Sequence, residues 1–123
     1  NNIKKINSVA KHYINNLHTA YLISKNLDVE FYSIIQPSIH TSQSIHGVNN
    51  SGENFGGSTE KIITDLIIEK MSNNCNYEID FCNRVIDGRS WLDKTKNVFI
   101  DSHHLTKEGN NVIVNNIKIL LEK

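Results

Sequence analysis

Apolar positions along the chain fall into segments with two different periods. From residue 3 to 26 they recur at spacings of three and four (Ile6, Val9, Ala10, Tyr13, Leu17, Ala20 and Tyr21), which predicts one amphipathic helix stopping near Asn26. His12 and His18 fall off that stripe and read as solvated. Residues 29–35, VEFYSII, are almost continuously apolar, the pattern of a strand covered on both faces. Gln36-Pro37 ends it, because proline lacks a backbone donor and restricts the residue before it. Ser58 or Thr59 then opens a helix to about Ser72, with Ile62, Ile63, Leu66, Ile67 and Met71 on its apolar side. Tyr77 to Ile86 alternates imperfectly and predicts a short strand entering a turn at Asp87-Gly88. Val98, Phe99 and Ile100 make a last short buried strand. Thr106 stands at the N-cap of a final helix that carries Val112, Ile113, Ile117, Leu120 and Leu121.

The order helix, strand, helix, possible short strand, strand, helix predicts an α/β fold. Residues 29–35 and 98–100 would be neighbouring parallel strands flanked by helices. A length of 123 residues bounds the chain to a single domain, or part of one, spanning 1–123. So few strands leave an open sheet edge, for which further polypeptide or self-association is the expected cover. Residues 38–58 form a polar loop rich in Ser, Asn and Gly, with Ile45 and Phe55 as its apolar pegs. Loops of more than roughly 12–15 residues tend to be functional or disordered.

Charge changes the picture by exclusion. Thirteen basic residues balance thirteen acidic ones without a run of either sign, so no nucleic-acid surface is expected. No apolar stretch is long enough for a membrane span. Cys75 and Cys82 could form a disulfide but lie outside any C-x-x-C pair, and they read as buried or loop thiols.

The candidate chemistry lies between the last strand and the last helix, in VFIDSHHLTKEG. A carboxylate three residues before a histidine in a tight turn can accept the proton of one ring nitrogen. The other nitrogen is then left to take a proton from a nucleophile. Asp101 and His104 are therefore the candidate acid–base couple, with His103 pointing outward. Gln36 stands at the carboxyl end of its strand, where open α/β sheets collect ligands, and is the candidate substrate contact. His40 and His46 have no Cys or clustered acid at ligand spacing, so no metal is expected. Gly56-Gly57 lacks the lysine context of a phosphate loop, and no cofactor is expected.

Phe99-Ile100-Asp101-Ser102-His103-His104-Leu105-Thr106, with Gly109-Asn110, closely resembles the last motif of the SGNH hydrolases, also called GDSL esterases or lipases. The segment Glu30 to Ser38, with Gln36-Pro37, is similar to the fourth strand and following loop of that family. The resemblance implies a three-layer, flavodoxin-like fold, with His104 as general base and Asp101 as its orienting acid. It also implies a carboxylic-ester hydrolase whose substrate is a small ester or an acetylated carbohydrate. The family's Gly-Asp-Ser nucleophile motif and its Gly-x-Asn-Asp motif do not occur here. The expectation is thus a C-terminal half that supplies two triad members, needs a missing N-terminal half for the serine, and is inactive alone. The competing expectation is a non-catalytic α/β module that binds a protein or glycan partner.

Overall fold

The computed structural model describes residues 2–41, 59–73, 75–101 and 103–123. Most of the expected loop, including Ile45, His46, Phe55 and Gly56-Gly57, lies outside them, as does Ser102. The elements are α1 (Asn2–Asn26), β1 (Ser33–Ile35), α2 (Thr59–Ser72), α3 (Ile79–Asn83), β2 (Val85–Asp87) and α4 (Lys107–Leu121). The chain divides into two compact units, Asn1–Ile35 with Thr59–Asp87, and Gln36–Ser58 with Gly88–Lys123.

In the first unit, α1 buries Ala10, Ile14 and Tyr21, with Leu17 half-covered. The buried stripe is thus turned from the expected one, and Val9 and Tyr13 face solvent. The helix ends at Asp28, whose φ of 54° is left-handed. There Val29 N donates to Ser24 O at 2.9 Å and Asp28 N to Lys25 O at 3.3 Å, the crossed pair that closes a helix C-terminus. On α2, Ile67 and Met71 are buried against the same core. Phe81 of α3 is fully enclosed, with the rings of Tyr21 and Tyr77 at 5.3 and 5.4 Å.

The expected sheet is not there. The described residues hold a two-stranded parallel sheet, Ser33 opposite Val85 and Ile35 opposite Asp87, in a mostly helical molecule. This corrects the three-layer flavodoxin-like α/β fold and the pairing of 29–35 with 98–100. The physical reason is where the backbone groups go. At the start of the apolar run, Val29 N is taken by the α1 cap, and the Arg84 guanidinium donates to Phe31 O at 3.4 Å, so only 33–35 joins a ladder. At the other run, Val98 O accepts from Thr106 N at 2.9 Å and Ile100 N donates to His104 O at 2.8 Å. Phe99 forms an isolated antiparallel bridge with Leu105, and Ile100 is 68% exposed. Local turn closure consumes what a sheet would have used. The expected strand over 77–86 is likewise the short helix α3 followed by β2.

Cys75 and Cys82 are joined by a disulfide, which corrects their reading as thiols. It closes the segment that presents Tyr77, Glu78 and Asp80 to α1, where they meet Asn15 at 2.6 Å, His18 at 2.7 Å and Tyr21 at 2.9 Å. A bridge with a sequence separation of 7 encloses a short loop. Its chain-entropy contribution is accordingly about 2.5 kcal/mol. Replacing both cysteines by serine is expected to lower unfolding stability by about that amount, read from urea midpoints. Equal midpoints for the two proteins would show that the bridge constrains nothing.

The second unit packs Leu92, Val98 and Phe99 with half-buried Ile39, Leu105, Val112 and Ile113. Successive turns across 88–95, with Trp91 N on Gly88 O and Thr95 N on Leu92 O, fold Leu92 inward. Thr106 caps α4 as its sequence position predicts, accepting from Gly109 N at 3.2 Å.

Candidate active site

The site lies where Ile100 and Asp101 face His103 and His104, held at its base by the Phe99–Leu105 bridge. Hydrogen bonds on either side of that bridge, Ile100 N to His104 O and Thr106 N to Val98 O, fix the spacing of the two limbs. Both limbs are anchored by apolar side chains, Val98 and Phe99 on one and Leu105 on the other, so the polar turn projects from a packed base.

Within the turn, Asp101 is surrounded by donors. Its Oδ1 accepts from the backbone N–H of His103 and of His104, each at 2.9 Å. Its Oδ2 lies 2.7 Å from His104 Nδ1. These two backbone bonds first, and the His104 ring next, hold the Asp101 carboxyl far below the ordinary carboxylate range. Anionic Asp101 requires Nδ1 to carry a hydrogen when it bonds, so the tautomer of neutral His104 is set by its neighbour. Nε2 then carries the lone pair. Among the described residues no side chain is hydrogen-bonded to it, and the ring is 78% exposed.

The pair is an orienting device more than a stabilising one. With Asp101 55% and His104 78% exposed, water and salt screen the attraction. Exposed pairs of this kind contribute little to stability.

His103 donates its backbone N–H to Asp101 and is exposed, outside the couple. Its ring lies 6.0 Å from that of His40. His40 extends from a compact turn in which Ser38 N donates to Thr41 Oγ1 at 2.8 Å and Thr41 N to Ser38 O at 3.1 Å. Pro37 and Ser38 are buried, whereas Gln36 is exposed and its side chain is joined to neither Asp101 nor His104 by a hydrogen bond among the described residues. The structure therefore brings Asp101 and His104 together and leaves Gln36 apart from their hydrogen-bond network.

The chain matches no family model, no curated protein and no solved structure. What can be said of its chemistry comes from its own residues.

His18 is the polar residue that the sequence pattern places least well. It is expected in solvent, yet its ring lies 4.7 Å from Tyr77 and 4.9 Å from Phe81, and Nε2 meets Glu78 Oε2 at 2.7 Å. Its position three residues before Tyr21 is the one local signal of a shared helix face. The partners lie some sixty residues further on, beyond the reach of any periodicity.

Proposed function

We propose that this chain supplies the acid and the base of a serine-type carboxylic-ester hydrolase. The observation that carries the reading is the 2.7 Å contact from Asp101 Oδ2 to His104 Nδ1, with the carboxylate pinned by two backbone donors. The motif resemblance around Asp101, His104, Thr106 and Gly109 adds to it; the two-stranded sheet does not.

In this reading His104 Nε2 takes the proton of a serine hydroxyl as that oxygen attacks the ester carbonyl. Asp101 stabilises the imidazolium that forms, without itself taking the proton. The imidazolium then gives its proton to the departing alkoxide, leaving an acyl-enzyme. Water adds by the same route, its proton going to Nε2 and then to the released serine oxygen, and the carboxylic acid departs. The serine and the oxyanion donors come from polypeptide that carries those motifs, because no hydroxyl among the described residues is bonded to Nε2. The substrate class is a small ester or an acetylated carbohydrate.

The test is hydrolysis of p-nitrophenyl acetate by this chain, by the complete protein, and by the complete protein with His104→Ala. Turnover is expected from the complete protein alone. Complete protein that hydrolyses the ester equally well without His104 would reject the assignment. So would turnover by the isolated chain that survives loss of His104.

A further inference from the structure

The geometry points to Thr106 as the positioning residue of the Asp101–His104 couple, through a hydroxyl that both caps α4 and ties the turn to Asn97. This inference rests on the hydrolase reading for its functional meaning, but its geometry does not.

Besides the helical bond its carbonyl accepts from Asn110 N, three bonds at Thr106 bear on the turn. Its backbone N–H donates to Val98 O at 2.9 Å. Its hydroxyl donates to Asn97 O at 2.8 Å and accepts from Gly109 N at 3.2 Å. The oxygen has a single hydrogen, and the geometry uses it on the carbonyl while a lone pair faces the helix. A cap needs only the lone pair. The donated bond is therefore extra to capping, and it reaches across to the strand limb of the turn.

Asn97 is where that tie has leverage. Its φ of 55° lies in the left-handed region, so the chain reverses sharply there before entering Val98. Fixing the Asn97 carbonyl fixes the direction in which 98–100 enters the turn. The helix limb is fixed by the same side chain through Gly109. One hydroxyl thus ties both limbs at their base and reinforces the spacing that the Val98–Thr106 and Ile100–His104 backbone bonds give them.

Across the turn, the N–H groups of His103 and His104 must converge on one oxygen of Asp101. Their convergence depends on that separation. If the limbs slide, the carboxylate loses its backbone donors, swings, and no longer dictates which nitrogen of His104 carries the proton. Thr106 touches neither the substrate nor the imidazole in this account; it acts through Asp101.

Serine and aspartate both cap helices well, so α4 keeps its start in either variant. Only serine can also donate to Asn97 O. The experiment is long-range 1H–15N NMR of the histidine rings in this chain, at a pH where the imidazoles are neutral, with His104 assigned by its loss in His104→Gln. Wild type and Thr106→Ser are expected to show His104 as the Nδ1–H tautomer. Thr106→Asp is expected to lose at least about half of that population to Nε2–H, the form a free imidazole favours, with helix content unchanged. In the complete protein, Thr106→Asp is expected to lower kcat about 10²-fold with KM little moved, and Thr106→Ser to restore it.

A Thr106→Asp chain that keeps the Nδ1–H tautomer would overturn the inference, since the side chain would then be a helix cap and nothing more. A Thr106→Ser chain that loses the tautomer as fully as Thr106→Asp would overturn it equally. Both results are read without any ester. They are therefore distinct from failure of the hydrolase reading, which shows only in turnover that ignores His104.

Discussion

On the proposed hydrolase reading, Asp101→Asn in a protein that also carries the serine is expected to lower kcat for ester hydrolysis about 10⁴-fold while leaving KM and the fold nearly unchanged. The size follows from what the carboxylate does. Oδ2 receives the Nδ1 hydrogen of His104 at 2.7 Å, and an asparagine can turn its amide N–H to that nitrogen instead. His104 would then hold its proton on Nε2, where a base must have a lone pair. The fold is spared because the pair is exposed and screened, and because the amide oxygen can still accept from the two backbone N–H groups. The linkage has a definite sign. A carboxyl whose folded-state pKa is depressed contributes stability above its unfolded value, and the contribution is lost as pH falls toward the folded one. Asp101 therefore stays charged throughout the ordinary carboxylate range. Matching urea midpoints with a 10⁴-fold difference in kcat would fit. A variant with more than a tenth of wild-type turnover would show that Asp101 does not set the tautomer.

The long helices α1, α2 and α4 were legible in the sequence because their signal is repeated; α3, five residues long, was not. α2 runs from Thr59 to Ser72, close to the bounds its apolar repeat predicts, and Thr106 caps α4 as expected. The spacing from Asp101 to His104 was legible for the same kind of reason, since both partners lie within one turn. Strand pairing was not. VEFYSII and VFI have the composition of buried strands, but composition does not say which backbone groups are already committed. The α1 cap, Arg84 and the 98–106 turn take those groups, and what remains is three residues of β1 beside three of β2. His18 and the disulfide share the difficulty. Each is decided by a partner brought near by folding, the aromatic rings of Tyr77 and Phe81 for one and the turn into α3 for the other.

The same contrast explains why the motif is robust in a fold so unlike the one its neighbours implied. Among the described residues, the hydrogen bonds cited for the Asp101–His104 turn arise between residues 97 and 109, from Thr106 on Asn97 O to Gly109 N on Thr106. A site built from one local turn needs from the rest of its unit only a packed base, and Leu92, Val98 and Phe99 with Val112 and Ile113 supply it.

Gly109→Val is expected to destabilise the second unit by about 3 kcal/mol and to dismantle the couple with it. A Cβ at Gly109 would stand 2.5 Å from Val98 O, 3.2 Å from Leu105 Cβ and 3.3 Å from Val98 Cβ. The first of these is backbone, and it cannot rotate away. It is also the oxygen that accepts from Thr106 N, so relieving the clash means parting the two limbs that hold the turn. Alanine meets the same oxygen but gains about 1 kcal/mol of helix propensity over glycine, so it should cost less than valine. Asn110 is the control: it is exposed, and its side chain makes one long bond of 3.5 Å to Leu105 O. Its replacement by alanine should move stability by no more than about 0.5 kcal/mol. Urea unfolding of the three variants, with the His104 ring resonances followed alongside, tests the whole chain of dependence. A Gly109→Val protein as stable as the Asn110→Ala control would show that α4 can ride outward without cost. Stability lost with the His104 tautomer unchanged would show that the turn holds its shape without the helix behind it.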